Sequence, residues 1–274
     1  MGGTVAAAAR GAEALFQNPA GLARLRPESP SEVALGYDAL IETAYQGSAA
    51  YARPLGREGA LAAGVLYDSQ SPQTYYSVQG DAVGSFTPMD LAAGAAYARR
   101  IGPVALGGGL KLLRSSLADR SGTSFAADFG AMLPHATDLG DGPLDAGLTV
   151  SNLGPPLKIG STADPLPFRA RAGAVWHASP NFDAALDVVF PVDQAPYATA
   201  GAEARFPAAM VGSTRPWTAA LRAGYDQNRS RGVDGFTAVS FGAGLDFAAF
   251  RVDYAWLALG SLGYANRVTL AFRF

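Results

Sequence analysis

The feature that most constrains this chain is the strict alternation of its last eleven residues. Tyr264, Val268, Leu270, Phe272 and Phe274 share one parity, and Ala265, Arg267, Thr269, Ala271 and Arg273 share the other. In an extended strand, period two puts these sets on opposite faces, one apolar and one carrying two arginines. An edge strand this apolar in a water-soluble sandwich would invite pairing with another chain. In a closed barrel the same strand pairs on both sides and turns its apolar face to lipid. A soluble strand can alternate as well, so the rest of the chain has to decide.

Thirteen further segments of similar length precede it. The alternating stretches are about 32–40, 43–53, 58–69, 87–99, 103–114, 121–133, 143–152, 167–178, 182–191, 197–206, 216–226, 235–248, 250–258 and 264–274. Each is close to the ~9–11 residues that cross a bilayer as a tilted strand, and their number is even, as in single-chain bacterial barrels. Phe168, Ala170, Ala172, Ala174 and Trp176 oppose Arg169, Arg171, Gly173 and His177. Phe182, Ala184, Leu186, Val188 and Phe190 oppose Asp183 and Asp187, and later segments repeat the scheme. Uncharged faces often begin or end with Trp, Tyr or Phe, the pattern of aromatic girdles at two interfaces.

Charged residues make up 16% of the chain, against about 25% in ordinary soluble domains. No apolar run reaches the ~18 residues of a membrane helix. Net charge is −2, which gives no footprint for nucleic acid. Cysteine is absent, so disulfides and thiolate metal sites are excluded. Interleaved apolar and polar residues, low charge and abundant glycine (33 residues) fit a membrane barrel. A soluble Ala/Gly-rich β protein remains compatible with composition alone.

Loop lengths agree with the barrel. If both termini are periplasmic, connections after even-numbered strands face the periplasm, and Arg53–Arg57, Arg100–Gly102, Ser179–Asn181 and Ala249 are tight. Connections after the third and seventh strands are long, Gln70–Phe86 and Leu153–Leu166. Those near Pro134–Gly142 and Pro207–Arg215 are longer than the pattern wants, which leaves twelve strands open.

Residues 1–30 stand apart. Thr4–Leu15 reads as a short Ala-rich helix or turn, followed by Asn18-Pro19-Ala20-Gly21-Leu22. Pro19 can occupy the first position of a helical turn. The stretch is too apolar for a free tail, and in a barrel the available place is the lumen. The expected organisation is a hatch over 1–30 and a transmembrane antiparallel β-barrel over 31–274.

The Met1-Gly2-Gly3 start, the Asn18-Pro19-Ala20-Gly21 motif, the segments Arg169–Gly173 and Leu221–Tyr225 and the final strand resemble the FadL-like outer-membrane proteins, and among them the PorV/PorQ-type branch. The resemblance implies a fourteen-stranded outer-membrane barrel with a hatch. It implies that Met1 is internal to a longer reading frame, since no basic and apolar leader precedes the motif. It implies either docking and shuttling of secreted cargo, as in the PorV branch, or a conduit for fatty acids or other hydrophobic small molecules, with the docking role slightly favoured. The expected partners are accordingly membrane lipid together with secretion-system or cargo proteins, or a hydrophobic ligand.

No catalytic constellation emerges. His135 falls in an expected periplasmic turn, and His177 faces the lumen without a partner at defined spacing. Neither a metal-ligand pattern nor a cofactor motif is present, and the chain reads as a non-enzyme. Gly107-Gly108-Gly109 reads as a bend or a close backbone approach. Parity places Arg169, Arg171, Asp183, Asp187, Glu203, Arg205, Arg222, Asp246, Arg251, Asp253 and Arg267 on the inner wall, with opposite signs on neighbouring strands. One reading is a structural ladder of ion pairs that anchors the hatch, because unpaired charges in a partly dry lumen are costly. The other is a gated polar path. Asn18, Pro19, Ala20 and Gly21 likewise read either as a fixed turn or as a movable gate.

Overall fold

The computed structural model describes residues 1–211 and 216–274. Its wall is a closed antiparallel barrel of fourteen strands. They are β1 (Glu32–Ala39), β2 (Tyr45–Pro54), β3 (Ala60–Ser69), β4 (Met89–Ile101), β5 (Val104–Leu117), β6 (Arg120–Leu139) and β7 (Gly142–Leu153). The second half comprises β8 (Arg169–Ser179), β9 (Phe182–Pro191), β10 (Tyr197–Pro207), β11 (Trp217–Asp226), β12 (Thr237–Phe247), β13 (Phe250–Leu259) and β14 (Tyr264–Arg273). Each strand pairs with its neighbours in sequence, and β14 closes on β1 with Arg273 opposite Glu32 and Arg267 opposite Asp38. Closure leaves no edge, so every wall strand has a ladder on both sides.

Parity sorts the side chains as the sequence requires. Leu110, Leu112, Phe125, Phe129, Leu148, Leu186, Leu221 and Phe241 point outward and are exposed, while inward-facing Ala52, Ala60, Ala98 and Ala271 are fully buried. An outer surface this apolar suits hydrocarbon and would be unfavourable in water. Aromatic residues cluster near both rims. Tyr37 and Tyr45 stack at 6.1 Å on one rim, and Phe247 and Phe250 at 4.5 Å on the other.

The two ends differ. At the end that carries the C-terminus and the start of β1, β4–β5, β6–β7, β8–β9 and β12–β13 join through two-residue turns, while Met1 lies inside the lumen beside Gly201 and Gly224. Gly140 adopts φ +61° in one of them, a conformation that a side chain would strain. At the opposite end β3–β4 and β7–β8 carry extra hairpins, Gln73–Tyr76 with Ala82–Phe86 and Leu157–Ile159 with Thr162–Asp164.

Two expectations change here. The connection expected near Pro134–Gly142 is a continuation of β6, which runs to Leu139 and leaves only Gly140–Asp141 as the turn. A register shift between Leu133 and Thr137 absorbs Pro134 and places His135 at φ +53° within the strand, not in a turn. The twelve-strand alternative falls with it. The connection after β10 begins with a 3-10 turn at Ala208–Val211, and 212–215 lie outside the described residues.

Residues 1–25 fold back into the barrel. They form turns, a single helical turn at Ala14–Gln17 and a 3-10 helix at Pro19–Arg24. The Ala-rich helix considered for Thr4–Leu15 does not extend through that stretch. Its amide groups are taken by the wall instead: Asp187 accepts from the Val5 and Ala6 N–H groups, and Glu32 from Ala12 N–H. Pro19 does occupy the first helical position, with the Asn18 side chain accepting from Ala20 N–H at 3.1 Å.

Candidate functional site: the plugged lumen

The lumen is divided into an alanine sector and a charged sector, and the plug matches both. Ala9, Ala12, Ala14, Leu15, Ala20 and Leu22 pack against Ala34, Ala50, Ala52, Ala62, Ala96, Ala98, Ala105 and Met132, all buried. Full burial of Leu15 and Leu22 contributes about 1.5–3 kcal/mol each. The small wall residues are what make room for this segment. At Gly107 an added Cβ would overlap the Pro19–Ala20 backbone, and at Gly130 it would overlap the Asn18 side chain. Gly107 is thus a close backbone approach, the role its triplet suggests. Two further inward-facing glycines, Gly147 and Gly201, sit under Ala6 and Met1.

Asn18 is the centre of the seat. It is fully buried, and its amide donates to Ala6 O at 2.6 Å and to Leu148 O on β7 at 3.2 Å. Arg24 donates to Ala7 O at 2.9 Å and to Asp145 on β7 at 2.7 Å. Glu13 receives Arg251 of β13 at 2.7 Å. Arg171 donates to Gly3 O and lies 3.2 Å from Asp187, the carboxylate that holds the Val5 and Ala6 amides. The plug is therefore latched on β1, β7, β8, β9 and β13.

The charged sector is a long network of ion pairs with two smaller groups beside it. His177 Nδ1 meets Asp183 at 2.7 Å, and its Nε2 lies 3.4 Å from Asp145. Asp183 holds Arg205 at 2.5 Å, and Arg205 reaches Glu203 at 2.9 Å. Glu203 holds Arg222 at 2.5 Å, which also meets Asp253 at 2.6 Å. Asp253 pairs with Arg251 at 2.8 Å, and Asp246 with Arg273 at 2.9 Å. Arg273 continues to Glu32 at 3.2 Å, and Arg267 grips Asp38 through two hydrogen-bonding nitrogens. All eleven inner-wall charges expected from parity point inward. Ten of them are paired, and Arg169 has no carboxylate partner among the described residues. Both nitrogens of His177 face carboxylates, so the ring is not poised to activate a hydroxyl.

Sequence reasoning missed Glu13, Arg24, Glu32, Asp145 and the Lys111–Asp128 pair at 2.7 Å. Glu32, Lys111, Asp128 and Asp145 share the inward parity used for the later strands, so extending the same count would have found them. Glu13 and Arg24 carry another signal: they are charges in an otherwise apolar segment, which only a charged wall can receive.

Cavities remain on both sides of the plug. One of about 480 Å³ lies toward the hairpin end, floored by Glu13, Phe16 and Gln17 and walled by Lys111, Arg169 and Arg267 among others. One of about 510 Å³ lies at the C-terminal end, bordered by Arg24, Arg26, Arg57 and Arg100.

The architecture has solved counterparts. The toluene transporter TbuX of Ralstonia pickettii superposes with a TM-score of 0.63 at 14% identity, covering 100% of this chain and 96% of that one. What the two share is the fold, a closed antiparallel β-barrel. The toluene transporter TodX of P. putida gives a TM-score of 0.60 at 10% identity, covering 100% and 97%. A FadL homologue of Pseudomonas aeruginosa gives 0.53 at 9%, covering 99% and 96%. No family model and no curated protein matches the sequence. The FadL-like part of the sequence resemblance thus has structural counterparts. Its PorV/PorQ refinement finds no support in them.

Proposed function

We propose that this chain is an integral outer-membrane conduit for hydrophobic small molecules. The observation that carries this reading is the plug seated in a barrel that matches hydrocarbon transporters from end to end. A latched plug argues against a wide aqueous pore, and the apolar outer face and aromatic rims fit a bilayer. Short turns at the C-terminal end of the barrel and hairpins at the other argue that the C-terminus and the start of β1 face the periplasm, with Met1 held inside the lumen. Membrane lipid surrounds the wall, and the transported ligand enters from the cavity above the plug. Asn18–Gly21 form the seat on which the plug is held or released, and residues 1–30 act as the hatch. Among the inner-wall charges, Arg171, Asp187 and Arg251 hold that hatch, and most of the others pair within the wall. Docking of secreted cargo is the lesser reading, since nothing in the fold singles out a protein-binding face.

Reconstitution into vesicles tests the proposal. Toluene or a medium-chain fatty acid should enter protein-containing vesicles faster than empty ones. Equal rates for both classes of ligand, with the barrel folded, would refute it.

A further inference from the structure

Beside the plug, three cavities follow one another along the inner wall of β11–β14. The upper one, of about 480 Å³, reaches Arg267 and Thr269. A middle one of about 80 Å³ shares Arg267 and Thr269 with it and extends past Ser240 and Gly242 to Arg222 and Asp253. A lower one of about 170 Å³ shares Arg222 and Asp253 and continues to Arg205, Thr218 and Asp246 near the C-terminal end. The shared residues place the cavities in series from one side of the plug to the other. The plug also packs on β10 and β11, with Met1 and Gly2 against Gly201 and Gly224, and the space persists beside Met1 and Arg10 along β11–β14.

The lining mixes apolar with charged and hydroxyl groups. Ser240, Thr269 and Thr218 offer hydroxyls, Gly242 and Gly244 leave width, and arginines and carboxylates stand beside Met1, Phe241, Ala220 and Leu245. Apolar cavities of this size can stay dry, whereas polar ones with several partners hold water. The middle cavity has room for a short file of water molecules and not for an organic solute. The lower cavity has four arginines against three carboxylates. One of them, Arg10 of the plug, is half exposed and held only loosely, 3.8 Å from Glu203. The narrow point is the Arg222–Asp253 pair, common to the middle and lower cavities.

We propose that this wall carries a narrow hydrated path for small inorganic ions, preferring anions, separate from the route of the hydrophobic ligand. The path runs past the plug without displacing it, with Arg222 and Asp253 at its constriction.

The chain has no cysteine, which makes Ser240→Cys a clean reporter. The variant is reconstituted into planar bilayers in potassium chloride, and current is recorded before and after a small anionic methanethiosulfonate reagent. The unmodified variant and the parent protein should show the same small steady conductance, with a reversal potential in a salt gradient displaced toward that of chloride. Modification, verified by mass, should reduce the current at least several-fold while vesicle uptake of the hydrophobic ligand is unchanged. Absence of conductance in the parent protein would overturn the proposal. So would a current that survives verified modification, or a reversal potential on the potassium side. Loss of hydrophobic uptake with current intact would bear on the proposed function alone.

Discussion

Asn18→Ala isolates the seat of the plug from the wall that holds it. The side chain is fully buried and satisfies Ala6 O and Ala20 N–H, besides reaching Leu148 O. Truncation leaves Ala6 O and Ala20 N–H without those partners in a closed site. Each such group costs about 1–3 kcal/mol. Leu148 O stands in a strand ladder and loses only a secondary contact. A combined loss of about 3 kcal/mol lowers the ratio of seated to unseated plug by roughly 100-fold, at about 1.4 kcal/mol per factor of ten. Native-state hydrogen exchange in detergent reads this directly. Amides of 18–25 should exchange roughly 100-fold faster, while those of β5–β8 stay protected, because their ladders do not depend on the seat. A change below about threefold in the plug would show that Asn18 is not the seat. Equal acceleration of plug and wall would show that the two unfold together and that the seat cannot be separated from the barrel.

Three further outcomes are expected. Deletion of residues 1–24 should leave a folded but leaky barrel, read by assembly into membranes and by dye release from vesicles; failure to assemble would make the plug part of the folding core. Leu110→Arg places a charge on the outward face of β5, where Leu110 is 70% exposed, and should destabilise folding into lipid vesicles by about 2–4 kcal/mol. Burial raises the pKa of Glu13 against the pull of Arg251, with Asp253 and Glu32 adding to the rise. The seated plug therefore binds this proton more tightly than the free one. That contribution to seating is complete below the ordinary carboxylate range, about pH 4, and is lost as pH rises through the raised value. Protection of the plug from protease should show this component in the parent protein and lose it in Glu13→Gln.

Much of the wall was legible because a barrel strand is a local object. Alternation at Arg169–His177 or Trp217–Asp226 reports directly which side chains meet lipid and which meet the lumen, and closure follows from the absence of any protected edge. The same parity is what assigns eleven charges to the inner wall. The end of β6 was misread because Pro134 normally interrupts a strand, and only a bulge with His135 at positive φ carries the chain past it. The plug was legible as an apolar segment needing cover, and Asn18-Pro19 as the start of a helical turn.

What only the tertiary structure decided is which partners meet. Asp187 lies 181 residues from Ala6, and Arg251 lies 238 residues from Glu13. No periodicity encodes pairs across such separations, because they depend on the path of the plug within the closed cylinder. The choice of turns over a regular helix in Thr4–Leu15 has the same origin: Glu32 of the wall binds the Ala12 amide that a helix would otherwise use, and Asp187 fixes the path at Val5 and Ala6. So does the division of the lumen into an alanine sector that fits the plug and a charged sector that leaves space beside it. Sequence determined the wall, since a strand's two faces are set by neighbours two residues apart. The tertiary structure decided the seat, since burying a polar group requires a specific partner brought there by the fold.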